Sequence, residues 1–129
     1  MSTTVDEYPA TERSRASLPP VPDGAVMLTV NIHIGAFVTV NRVCNISHDC
    51  RVGDFSTIAP ATNLSGAVAV GTGCDIGSGV TTVQGVRVGE WTIIGAGAVI
   101  AADVPANCTA VGVPARPIKQ RESGWQHEA

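Results

Sequence analysis

From Ile34 onward an aliphatic side chain returns at every sixth residue: Ile34, Val40, Ile46, Val52, Ile58, Leu64, Val70, Ile76, Val88, Ile94 and Ile100, with Thr82 the one exception. Four residues further on in each cycle stands a small or β-branched residue: Val38, Cys44, Cys50, Ser56, Thr62, Val68, Cys74, Val80, Val86, Thr92, Ala98 and Val104. Neither a 3.6-residue helix nor a simple alternating strand has this period. A period of six predicts a parallel β-helix built from hexapeptides, with both of these positions turned inward. Three hexads close one triangular coil, so residues 18 apart stack at the strand spacing of about 4.8 Å. Gly35, Gly53, Gly71 and Gly89 keep that interval, and they are expected to turn the corners with an unusual φ. The predicted fold is all-β, a left-handed parallel β-helix of about four to five coils. Its winding is an exception to the usual right-handed crossover.

The pattern also divides the chain. Residues 1–27 carry no hexad phase and hold Pro9, Pro19, Pro20 and Pro22 among polar residues, which predicts an irregular, disordered leader. The β-helix is expected over 28–105, ending at Pro105. A C-terminal strand and cap follow over 106–121, and then a polar tail over 122–129. An uncovered last coil would present unpaired strand edges, so the cap is expected to cover it.

Stacking at 18 yields columns that a linear reading misses. Phe37, Phe55, Gly73 and Trp91 form an outward aromatic file, which predicts burial against another subunit. His33, Arg51, Ala69 and Arg87 form a partly basic one. His48, two residues past interior Ile46, is expected to point outward near a corner, with Gly66 one coil above and Gln84 two above. A histidine beside a residue with no side chain leaves room next to a bare main-chain N–H. That combination suits acyl transfer, with a base for the nucleophile and a donor for the carbonyl oxygen. Asp49 follows directly and is placed to hold the imidazole. A surface His–Asp pair without chemistry is the competing reading of the same residues.

Composition narrows the field. With 129 residues the chain forms at most one domain, and aromatics at 4% suit an interior that admits only narrow aliphatics. A net charge of −3 gives no reason to expect nucleic acid or an anionic membrane. No apolar run approaches the roughly 20 residues of a membrane span, and no signal-peptide core is present. Cys44, Cys50, Cys74 and Cys108 lack a C-x-x-C pair and read as buried thiols in a reducing, cytoplasmic setting.

The run His48-Asp49-Cys50-Arg51-Val52-Gly53-Asp54-Phe55, followed by Ile58-Ala59-Pro60, resembles sugar O-acyltransferases of the sialic acid O-acetyltransferase type, which include bacterial nucleotide-amino-sugar N-acetyltransferases. The stretches Ile76-Gly77-Ser78-Gly79, Ile94-Gly95-Ala96-Gly97 and Val111-Gly112-Val113-Pro114-Ala115-Arg116 look similar too. The resemblance implies a homotrimer with acetyl-CoA in the groove between adjacent coils and a small sugar or nucleotide-sugar acceptor. It makes His48 the general base and Asp49 the acid partnered with it. It also makes Asn41 an acceptor-positioning residue and Gly66 the backbone amide at the thioester carbonyl. Thr57, Ser78 and Ala96 occupy cofactor-contacting positions, with Thr57 standing where some members carry a second histidine. Such enzymes usually have an N-terminal acceptor-binding domain, and none is legible before the coil. A non-catalytic module scaffolding a partner chain is therefore the alternative. A third possibility, a metal-dependent hydratase resembling γ-class carbonic anhydrases, needs three imidazoles around one metal. His33, His48 and His127 do not have that spacing, so no metal is expected.

Overall fold

A computed structural model describes residues 2–4 and 26–127. Most of the expected leader, and the last two residues of the expected tail, lie outside the described residues. The array is the predicted left-handed β-helix with three parallel faces. The first face holds β4 (Thr39–Asn41), β7 (Thr57–Ile58), β10 (Asp75–Ile76), β13 (Ile93–Ile94) and β15 (Cys108–Val111). The second holds β2 (Met27–Leu28), β5 (Asn45–Ile46), β8 (Asn63–Leu64), β11 (Thr81–Thr82) and β14 (Val99–Ile100). The third holds β3 (His33–Ile34), β6 (Arg51–Val52), β9 (Ala69–Val70) and β12 (Arg87–Val88). Pairs such as Thr39↔Thr57 and Asn45↔Asn63 set the register at the predicted interval of 18.

Two extra strands dress the first face. β1 (Ser2–Thr4) pairs antiparallel with β4, and β16 (Arg116–Gln120) pairs antiparallel with β15. A short 3₁₀ turn at Trp125–His127 then brings the Trp125 indole N–H to the Trp91 carbonyl at 3.3 Å, with Arg121 stacked 4.5 Å over the Trp125 ring.

Both inward positions are buried, from Val38 and Ile46 through Ile76 to Ile100. The second inward position does more than save space. Cys44, Cys50, Ser56, Thr62 and Cys74 each donate from Sγ or Oγ to the carbonyl 15 residues on: Ala59, Ser65, Gly71, Gly77 and Gly89, at 2.8–3.1 Å. These carbonyls stand at the ends of strands in the coil above, outside the regular ladder, and a short polar side chain from the core satisfies them. Thr82 departs from the aliphatic rule for a related reason. Its Oγ1 accepts the Ser65 backbone N–H at 2.9 Å, while its carbonyl accepts the Ser65 hydroxyl at 2.6 Å.

Burial raises the thiols of Cys44 and Cys50, and it raises Cys74 from 9.0 to about 11, chiefly through desolvation. A raised thiol stays protonated in the folded state while its unfolded counterpart ionises. The stability this contributes is full below pH 9 and is lost as pH rises toward about 11. The expected result at pH 8 is that iodoacetamide labels none of the four cysteines in the native protein and all four in denaturant. Fast native labelling of Cys50 or Cys74 would contradict the packing described.

Two expectations are corrected. Gly35, Gly53, Gly71 and Gly89 do not have positive φ; that conformation falls two residues later, at Phe37, Phe55, Gly73 and Trp91. Glycine is required because a Cβ on Gly53 would sit 2.6 Å from the Thr72 nitrogen, and one on Gly71 would sit 2.7 Å from the Glu90 nitrogen. Close approach of successive coils, not backbone freedom, selects it. The hexad phase also ends earlier than Pro105. Val104 bridges Val88 rather than continuing the column of Val86, so the last coil is two residues shorter than 18. Asp103 Oδ1 accepts the Arg87 backbone N–H at 2.8 Å and stands in for the missing ladder carbonyl.

Candidate active site

His48 and Asp49 form the corner between the second and third faces in the coil of β5 and β6. Stacking on this edge runs Asn31, Asp49, Ala67, Gly85, each with φ between 57° and 79°. Asn and Asp tolerate that left-handed conformation better than most side chains, which is one reason they stand here. The edge is knitted by the Asp49 N–H to Val30 carbonyl bond at 3.1 Å and the Ala67 N–H to His48 carbonyl bond at 2.9 Å.

Gly66 lies directly above His48, as the stacking rule predicts. A Cβ on Gly66 would fall 2.5 Å from the imidazole Cε1 and closer still to Nε2. The ring therefore lies across the glycine, and its Nε2 side occupies the space that a side chain would take. Among the described residues the Gly66 N–H has no acceptor, because corner amides of this kind fall outside the ladder. On the far side of the ring, Nδ1 lies 3.0 Å from Asp49 Oδ2. Asp49 Oδ1 is held in turn by the Asn31 side-chain amide, which donates to it at 2.5 Å.

These contacts determine where the protons sit. The amide of Asn31, and then the His48 ring, hold the Asp49 carboxyl below its usual range. At neutral pH it is an acceptor only, so His48 Nδ1 must carry the hydrogen between them. Neutral His48 then has its lone pair on Nε2, the nitrogen over Gly66. Both side chains are about half exposed, so a ligand can reach them.

The other predicted residues are not beside His48. Asn41 ends β4, with its amide donating to the Ile58 carbonyl at 3.0 Å, next to the edge between the first and second faces. Ser78 and Ala96 occupy that same edge higher up, linked by the Gly97 N–H to Ser78 carbonyl bond at 2.8 Å. Their own N–H groups have no acceptor among the described residues, and a Cβ on the adjoining Gly79 or Gly97 would meet nothing within 4 Å. Thr57 lies on the open first face, half-buried between Thr39 and Asp75. In one chain the predicted site thus splits between two edges, with the second face between them. Asn31 was missed by sequence reasoning, although the same interval of 18 that placed Gly66 over His48 places Asn31 under Asp49.

A shallow depression of about 810 Å³ runs along the third face instead, lined by the His33, Arg51 and Arg87 file and the glycines beside it. His48 is not among its lining residues. The chemistry locates the candidate site at the edge, since the depression holds no paired base and carboxylate. The aromatic file is aligned as predicted: Phe37 and Phe55 stack at 5.5 Å and stay exposed, while Trp91 covers Gly73. No group of three or more His, Cys, Asp or Glu able to hold a metal occurs among the described residues, and no helix among them is long and apolar enough to cross a membrane.

No protein-family model and no curated protein sequence matches the chain. Solved structures do. PerB from Caulobacter crescentus, solved with CoA and GDP-perosamine, is 31% identical over 71% of this chain and 53% of its own, with a TM-score of 0.63. The acetyltransferase domain of PglB from Neisseria gonorrhoeae, solved with acetyl coenzyme A, is 30% identical over 76% of this chain and 53% of its own, with a TM-score of 0.61. A galactoside acetyltransferase in complex with coenzyme A is 28% identical over 78% of this chain and 61% of its own, with a TM-score of 0.63. These neighbours are acetyltransferases, and serine acetyltransferases 26–28% identical over 68% of this chain, with a TM-score of 0.65, stand among the others. The chain spans about half the length of PerB.

Proposed function

We propose that this chain is an acetyl-CoA-dependent acetyltransferase acting on an amine or hydroxyl of a sugar, nucleotide sugar or similar small acceptor. The observation that carries the reading is the His48 imidazole lying across Gly66 with Asp49 behind it. The neighbours solved with CoA or acetyl-CoA support the choice of acyl donor, and PerB with GDP-perosamine supports the acceptor class.

Bound acetyl-CoA would supply an activated acyl carbonyl. The chain's own residues do the rest. His48 Nε2 takes the proton from the acceptor N–H or O–H as that atom forms its new bond to carbon. Asp49 accepts the Nδ1 hydrogen throughout and steadies the positive charge that the ring gains. The Gly66 N–H donates to the oxygen on which negative charge builds, where a fixed backbone donor is most effective. When the thioester bond breaks, the sulfur leaves with the electron pair and can recover the proton held by His48. The free N–H groups of Ser78 and Ala96, beside open space, fit backbone contacts to an extended ligand such as CoA, and Thr57 offers a hydroxyl on the neighbouring face. Asn41 is the residue we assign to orienting the acceptor.

His48 on one edge and Asn41, Ser78 and Ala96 on another can share a single ligand if a second copy of the chain presents its edge. This supports a homotrimer with sites between subunits, and the exposed Phe37–Phe55 stack offers apolar surface for such packing. A cytoplasmic location fits the four unpaired cysteines.

Calorimetry of the purified protein with acetyl-CoA is expected to show binding in the micromolar range. A thiol-release assay across amino sugars and sugar nucleotides is expected to identify at least one acceptor. Absence of heat at millimolar acetyl-CoA would favour the non-catalytic scaffold instead.

A further inference from the structure

We infer that Asn31 is a positioning residue for this site, acting through Asp49 on His48. The inference rests on the reading of His48 as general base. It concerns a residue outside the histidine-containing motif, 18 positions before Asp49 and one coil below it.

The geometry forms a chain of three side chains on one edge. The Asn31 amide donates to Asp49 Oδ1, and Asp49 Oδ2 accepts from His48 Nδ1 at 3.0 Å. Each carboxylate oxygen thus has its own partner, on opposite sides of the group. Asp49 is exposed and otherwise free to rotate, and a carboxylate anchored by one oxygen offers the other in a fixed direction. Without Asn31, Asp49 would exchange Oδ1 and Oδ2 and turn toward water, and it would hold the ring in one orientation for less of the time. Imidazole orientation matters here because Nε2 has little room over Gly66. Among the described residues Asp49 is the only charged side chain in ion-pair contact with His48, so the ring has no second anchor of that kind. Backbone bonds already hold the corner: the Asp49 N–H binds the Val30 carbonyl whatever side chain stands at position 31. Asn31 is therefore spare for stability and available for positioning.

Two variants separate this role from a structural one. Asn31→Gly accepts the positive φ of 57° without strain and removes only the side chain. Asn31→Asp keeps shape and backbone preference but replaces the donor with an acceptor. Long-range ¹⁵N correlation spectra of the imidazole report the His48 tautomer directly, with or without a known acceptor. In the wild type the Nδ1–H form is expected to dominate at neutral pH, and in both variants the Nε2–H form is expected to become prominent. Once an acceptor is known, kcat is expected to fall roughly tenfold to a hundredfold with KM for acetyl-CoA unchanged, as for a misaligned base. Melting temperatures are expected to stay within a few degrees of wild type. Wild-type tautomer populations in both variants would overturn the proposal. If the wild-type protein proves inactive, the general-base reading fails, and the spectra still decide whether Asn31 governs the ring. Should Asn31→Gly fail to fold, Asn31→Asp carries both measurements.

Discussion

His48→Ala is expected to lower kcat/KM for acetyl transfer by a hundredfold to ten-thousandfold, the usual contribution of a positioned general base. The loss should appear in kcat and leave acetyl-CoA affinity nearly unchanged, because Ser78 and Ala96, proposed to hold the extended part of acetyl-CoA, stand on the other edge. Stability should not follow. The side chain is half exposed and no buried group depends on it, whereas the corner is held by the His48 carbonyl accepting from Ala67 N–H, which alanine preserves. Steady-state rates by thiol release, read beside a melting curve, make the check. A mutant as fast as wild type would remove the proposed mechanism, and a mutant that simply unfolds would show that the corner had been misjudged.

Gly66→Ala probes the same chemistry from the opposite side. Gly66 does not have positive φ, so alanine is permitted by the backbone, but its methyl would sit 2.5 Å from the resting Cε1 and nearer still to Nε2. The imidazole must swing outward by an ångström or more, away from the Gly66 amide and from Asp49. Displacements of that size cost about a hundredfold in rate where reacting groups must align. Gly85→Ala, one coil higher on the same edge, is the control. It meets nothing within 4 Å but has φ of +79°, so it should cost about 1–2 kcal/mol of stability and spare the rate. Opposite outcomes for the two glycines would show that contact with His48, not backbone preference, selects Gly66. Equal rates in wild type and Gly66→Ala would mean that the ring does not work where it lies.

The hexad made the coil legible because each cycle repeats one environment. An inward aliphatic such as Ile46 or Ile58 recurs only if the chain turns at a fixed interval. Once the interval was 18 per coil, the pairing of His48 with Gly66 followed by addition, and so did the alignment of Phe37 with Phe55. Legibility failed where local rules competed. Backbone freedom is the local reading of Gly53 and Gly71, but what excludes a side chain there is the backbone of the next coil, which an added Cβ would meet at 2.6–2.7 Å. The slip before Val104 was hidden because a valine suits either inward position.

The amino-acid order by itself determined the coil, its register and the residues that stack, because a repeat communicates mainly with its nearest neighbours and its contacts follow from counting. Only the three-dimensional arrangement decided which atoms face each other. It turned the Asp49 carboxylate toward Nδ1 and the lone pair toward Gly66, brought Asn31 beneath Asp49, and set Asn41, Ser78 and Ala96 on a different edge from the base. Those outcomes depend on side-chain rotation at corners and on a triangular cross-section, and no periodicity along the chain encodes the direction of a single bond.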